Sequence, residues 1–152
     1  MEEKLLQFIA YAKKKGYADL NSVWEKTVDG GETCTIKQGD FTYMDTYFGG
    51  EVDAGQERVL DNGKVVWVMA YRGGSLNPGL SDEAFSFLKK CIANIPSEFP
   101  ARGPRKFAEG DWEYENIWKG DIEGFTGEEN IYHKGRKVCF RNYLGGLIKN
   151  KE

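Results

Sequence analysis

The chain has 152 residues, with 21 Lys and Arg against 24 Asp and Glu for a formal net charge of -3, and 40% of its residues are hydrophobic. That length suits one ordinary domain, the apolar content excludes general disorder, and a near-balanced charge excludes nucleic-acid binding as the main task. Cys34, Cys91 and Cys139 form no close pair, so neither a zinc spacing nor a complete disulfide set is present. An acidic start and the lack of a membrane-length apolar run give the expectation of a cytoplasmic, soluble protein with no membrane partner.

Leu5, Phe8, Ile9 and Ala12 recur at helical spacing and predict a helix over about Glu2–Lys15, with Lys13, Lys14 and Lys15 placed to suit the carbonyl end of its dipole. From Tyr17 to Glu32 the pattern is weak and reads as a long ordered loop. Thr33–Lys37 and Phe41–Phe48 form a hairpin around Gly39 and Asp40, and Glu57–Leu60 and Lys64–Tyr71 form another around Asn62 and Gly63, residues that accept the positive φ of tight turns. Between them lies an acidic loop with Glu51 and Asp53. Along Lys64–Tyr71, Val66, Val68 and Ala70 alternate with Val65, Trp67, Met69 and Tyr71, so both faces are apolar and the strand belongs inside a sheet.

Ser81 is the expected N-cap of a second helix reaching about Asn94, with Ala84, Leu88, Cys91 and Ile95 on one stripe. Cys91 there reads as core. Pro96, Pro100 and Pro104 punctuate an extended connection, after which Trp112–Lys119 is a strand and Asn130–His133 with Arg136–Tyr143 a hairpin around Lys134 and Gly135.

The stretch from Gly39 to Leu76 recurs from Gly110 to Ile148. Identities fall at Gly39/Gly110, Asp40/Asp111, Tyr43/Tyr114, Glu57/Glu129, Gly63/Gly135, Val66/Val138, Tyr71/Tyr143, Gly73/Gly145 and Gly74/Gly146. The expected fold is therefore α+β: a tandem duplication of a helix plus an antiparallel four-stranded unit, pseudo-twofold, within one domain of two repeats at about 1–79 and 80–152. Val66 and Val68 match Val138 and Phe140 and keep their character, so that face is expected to be the core. Trp67, Met69 and Tyr71 match Cys139, Arg141 and Tyr143, and this diverged face is where a pocket or interface is expected. Arg141 reads either as an exposed side chain with its stem on the sheet or as a ligand contact.

No phosphate loop, zinc motif or catalytic triad is present, and His133, the sole histidine, lies at a predicted turn. No cofactor is expected. The glycine pairs look structural, answering a bulge, a sharp turn or close backbone approach. Glu51, Asp53, Glu57, Asp121, Glu123, Glu128 and Glu129 read mainly as solvated charge, with Glu57 and Glu129 set apart because both copies keep them. Phe41, Tyr43, Tyr47 and Phe48, with Trp112, Tyr114 and Trp118, read as core rings or as the lining of a cleft between the halves.

The segments GDFTYMDTYFGGEVDAGQE with VVWVMAYRGG, and FPARGPRKFAEGDWEYENIWKGDIEGFTGEENIYHKGRKV with YLGG, resemble a bacterial family of domains of unknown function over nearly all of the chain. Some members look like C-terminal partners of XRE-type helix-turn-helix regulators. The resemblance implies sensing of a small molecule or contact with another protein, although DNA-binding helices are lacking here, and it carries over no site residues. The resulting expectation is a non-enzymatic small-molecule-binding or sensing domain with a site at Trp67, Tyr71, Arg141, Tyr143, Glu57 and Glu129. Two alternatives stand beside it: a protein-interaction module with an exposed aromatic patch, and a hydrolase using two carboxylates about 5–10 Å apart.

Overall fold

The computed structural model describes residues 2–151. Helix α1 (Glu2–Lys15) is followed by strands β1 (Glu25–Lys26), β2 (Glu32–Gln38), β3 (Phe41–Gly49), β4 (Val52–Asp61) and β5 (Lys64–Ser75), then by helix α2 (Ser81–Ile92) and strands β6 (Lys106–Glu109), β7 (Trp112–Asp121), β8 (Gly124–His133) and β9 (Arg136–Leu147). All nine strands form one antiparallel sheet in the order β1-β2-β3-β4-β5-β9-β8-β7-β6.

This corrects the expectation of two helix-plus-four-strand units. β5 and β9 pair edge to edge from Trp67 opposite Leu147 to Ser75 opposite Cys139, so the sheet runs through the middle of the molecule without a break. The physical reason is that both strands are too apolar to remain edges. The core also ignores the division: Leu5, Phe8 and Ile9 of α1 share one cluster with Ile122, Phe125 and Tyr143, and the Trp67 indole N–H donates to the Ile122 carbonyl at 2.9 Å. The segment from Tyr17 to Glu32, expected to be only loop, contributes the ninth strand, β1.

The hairpin turns follow the sequence closely. Asn62 and Gly63 have φ of 50° and 83°, and Lys134 and Gly135 have 50° and 79°, the left-handed values that two-residue turns need. β4 and β8 are longer than expected, and take in Asp53 as well as Glu57. α2 ends at Ile92, and its first residue is Ser81, with Leu80 at the cap making no side-chain bond. Ser81 is thus not the N-cap: its hydroxyl instead donates to Glu51 at 2.5 Å and lies 2.8 Å from the Ser75 hydroxyl. A side chain one position inside the helix start faces away from the free N–H groups and is open to other partners.

Both helices pack on one face of the sheet, and this is the face expected to have diverged. Trp67 and Met69 are fully buried, and Cys139, Arg141 and Tyr143 are buried beside them. Val68 and Phe140 instead point outward and are half-buried, whereas Val66 and Val138 fall where β-bulges shift the register between Val59 and Leu60 and between Ile131 and Tyr132. The expected core face is corrected at Val68 and Phe140, which lie on the outer side, while Val138 is buried in the core and Val66 packs against it. Sequence similarity on a face records what its neighbours tolerate, and here the inner face meets α1 in one half and α2 in the other. The glycine pairs lie within β5 and β9. A Cβ on Gly73 would stand 2.2 Å from the Phe140 carbonyl oxygen, and one on Gly145 2.2 Å from that of Val68, so close approach of the two central strands requires them.

Candidate functional site: charged groups under the helices

Among the described residues, ten polar or charged ones are buried, and most gather on the inner face around the β5–β9 seam. Glu57, in the middle of β4, takes both Lys13 Nζ contacts, at 2.8 and 2.7 Å, and the Tyr43 hydroxyl at 2.7 Å. Lys13 lies in the last turn of α1 with Lys14 and Lys15, as the sequence suggested, but unlike them it is turned under the helix. It is 1% exposed, because the Leu5–Ala12 stripe that docks α1 carries it under the helix, and only an anion makes that position tolerable. Burial pulls its pKa below the ordinary lysine value, and Glu57 opposes that pull.

Glu129 occupies the matching place on β8. It accepts from Arg102 Nε at 2.8 Å and from the Tyr114 hydroxyl, and Arg141 Nε stands 3.7 Å away. Arg141 Nη1 and Nη2 donate to Asp53 at 2.6 and 3.1 Å, a two-point ion pair across the seam. The exposed reading of Arg141 is thereby corrected: it is 5% exposed, and its guanidinium lies 5.2 Å from the centre of the Tyr71 ring. Glu57 and Glu129, set apart in the sequence from the solvated acidic groups, are 1% and 2% exposed, since each has cations and a phenol to hold it.

Two tyrosines complete the pattern. The Tyr143 hydroxyl donates to Asn116 Oδ1 at 2.5 Å, and the Asn116 amide nitrogen donates onward to the Gly103 carbonyl at 2.8 Å. On the other side of the seam, the Tyr71 hydroxyl donates to Asp45 Oδ1 at 2.6 Å. Burial and then repulsion from Glu57 raise the Asp45 carboxyl from 3.8 to about 7, against the pull of the Tyr71 bond, Lys13 and Arg102. Gly55 faces Tyr71 and Gly127 faces Tyr143. A Cβ at either position would overlap the phenol, at 2.5 Å from the Tyr71 hydroxyl and 2.1 Å from Tyr143 Cζ.

Above this network lies an open cavity of about 150 Å³. Asp45, Asp53, Arg102 and Arg141 supply its charge, Tyr17, Tyr47 and Tyr71 its phenols, and Phe85 and Leu88 of α2 its apolar wall. Of the six candidate site residues named from the sequence, Tyr71 and Arg141 line this cavity, together with Tyr47 of the aromatic strand. Glu129 touches Arg102 and Arg141 from below, and Glu57 lies one layer deeper against Lys13. Trp67 is core, and Tyr143 faces Asn116. Sequence reasoning missed Asp45 and Arg102, and it read Asp53 as solvated loop charge, whereas Asp53 is held by Arg141 at the cavity. For Asp45 a signal existed, because Tyr43, Asp45 and Tyr47 alternate along one strand face and place a carboxylate among rings.

His133 packs against Trp112, with ring centres 4.5 Å apart and planes tilted by 36°, away from the cavity. Cys34, Cys91 and Cys139 are buried free thiols, and burial raises the first and last to about 11. Among the described residues, no group of three or more His, Cys, Asp or Glu side chains is placed to hold a metal ion, and no helix is long and apolar enough to cross a membrane.

No curated protein and no solved structure matches the chain. A family model does, over residues 45–148, a span that begins at Asp45 and includes Asp53, Arg102, Glu129 and Arg141 while leaving α1 outside. The chain belongs to the DUF5680 family, a domain of unknown function.

Proposed function

We propose that this domain binds a small molecule in the cavity between the sheet and α2, and does so as a sensing or regulatory module without catalysis. The observation that carries the reading is the placement of two carboxyl and two guanidinium groups around one recess with an apolar wall, the usual make-up of a specific small-ligand site. A perturbed carboxyl at Asp45 adds to it. Binding is favoured over hydrolysis by Glu57 and Glu129, because both carboxylates kept by the two halves are engaged by cations and phenols. The resemblance to bacterial C-terminal partners of XRE-type regulators fits sensing, and three buried, unbridged thiols fit a reducing cytoplasm. A protein partner is the second reading, favoured by Leu20, Val23 and Val28, which stand exposed on the segment between α1 and β2.

The test is a thermal-shift screen against a metabolite library, with hits mapped by amide chemical shifts. A ligand at about a hundred times its Kd adds roughly 2.7 kcal/mol. Hits should perturb the Gly49, Gly50, Tyr71 and Arg141 amides. Hits that map to the outer sheet face, or a blank screen, overturn the reading and favour the protein partner.

A further inference from the structure

We propose that the cavity takes a small zwitterion of α-amino-acid size, with its ammonium group on Asp45 and its carboxylate on Arg102. This rests on the small-molecule reading above and names the ligand chemistry. Four groups of opposite charge line the cavity, but two of them neutralise each other, since Arg141 grips Asp53 through both terminal nitrogens. Asp45 and Arg102 are left as the pair with capacity to spare.

Asp45 is 5% exposed. Tyr71 holds one of its oxygens, and the other has no hydrogen-bond partner among the described residues. Across the seam the same tyrosine contact is made to Asn116, whose amide nitrogen is satisfied by the Gly103 carbonyl. An amide thus suffices wherever the task is to hold the tyrosine. A carboxyl at Asp45 brings the cost of burying an ionisable group, and its free oxygen offers what an amide nitrogen does not: an acceptor for a cationic donor.

Arg102 is likewise 5% exposed. Its Nε donates to Glu129 at 2.8 Å, but Nη1 stands 3.9 Å from Glu57, beyond hydrogen-bond reach. The Nη edge makes no hydrogen bond among the described residues, and Arg102 lines the cavity. Such an edge matches the two oxygens of a carboxylate. A guest with only negative charge would meet Asp45, and one with only positive charge would meet Arg102, whereas a guest with both signs satisfies each. The size agrees: a cavity near 150 Å³ holds a benzene-sized guest, about the bulk of alanine or serine, and Phe85 and Leu88 offer its side chain an apolar wall.

The experiment is calorimetric titration of the full chain with glycine, L-alanine, L-serine and L-valine, and then with the N-acetyl and carboxamide derivatives of whichever binds. The expected result is that at least one amino acid binds and that both derivatives bind more than about tenfold more weakly, since each loses one charge. Asp45→Asn should weaken the amino acid by a similar factor while keeping the fold, because Asn116 already makes the same tyrosine contact. A derivative that binds as well as its parent overturns the proposal with no variant needed. If library ligands perturb Gly49 and Gly50 but no amino acid binds, the zwitterion falls and the small-molecule reading stands. If nothing binds in either experiment, both fall.

Discussion

Lys13 Nζ lies 2.7 Å from Glu57 Oε2, and both side chains are 1% exposed, so the docking of α1 on the sheet depends on an ion pair set inside an apolar cluster. Removing one partner leaves a buried charge alone, which costs about 3–5 kcal/mol. Lys13→Met should lose stability of that order in urea unfolding, and adding Glu57→Gln in the same chain should recover a substantial part. Losses that simply add, with the double variant falling below Lys13→Met by the full cost of Glu57→Gln alone, would show that the pair is not coupled.

Gly127 and Gly55 should behave differently although both face a tyrosine. At Gly127 the nearest atoms to an added Cβ belong to the Tyr143 side chain, whereas at Gly55 the Thr46 carbonyl oxygen also stands 2.4 Å away. Overpacking of this kind costs about 1–3 kcal/mol. Gly127→Ala should be destabilised and partly rescued by Tyr143→Leu, while Tyr71→Leu should not rescue Gly55→Ala, because a backbone atom cannot be trimmed away. Thermal unfolding of the four chains gives the comparison.

The raised Asp45 carboxyl sets a sign for the pH dependence of stability. Its pKa is about 7 in the folded chain against the ordinary 3.8, so between those values the folded state holds a proton that the unfolded state has released. The contribution is complete below pH 3.8, falls as pH rises, and is lost above about pH 7, with an upper bound on the order of 4 kcal/mol. Asp45→Asn removes the titration. The variant should therefore gain on the wild type between about pH 5 and about pH 8 in chemical denaturation, and parallel stability curves would contradict the assignment.

Burial of all three thiols and the upward shift of their pKa by the surrounding apolar packing predict slow chemistry. A thiol reagent added to the native protein at mildly alkaline pH should show no fast phase, and all three groups should react together once guanidinium unfolds the chain. A rapid native phase from any one of them would reveal local opening at that cysteine.

The legible parts of this fold were the local ones. Asn62–Gly63 and Lys134–Gly135 announce their turns because few residues accept left-handed backbone, and the Leu5–Ala12 stripe announces α1. The joining of β5 to β9 was not legible, since it depends on distant pairing that leaves no periodic mark. Nor was the inner face, because Trp67–Tyr71 reads as apolar on both sides and only the position of the helices decides between them. At the site, Tyr71, Arg141, Glu57 and Glu129 stood out through the internal comparison, whereas Arg102 sits in the Pro-rich connection and acquires meaning only once that connection is folded over Glu129. Lys13 was hidden by two neighbouring lysines that do face solvent.

The seam between β5 and β9 also governs how the chain is made. Synthesis delivers β5 long before β9, and until Leu147 has emerged the edge of β5 offers its free N–H and C=O groups to whatever strand is nearby. A ribosome holding an incomplete chain therefore exposes an adhesive margin that the finished protein conceals at its centre. Loss of only the last strand would uncover two such margins at once, on β5 and β8, and turn a continuous sheet into a chain prone to pair with copies of itself.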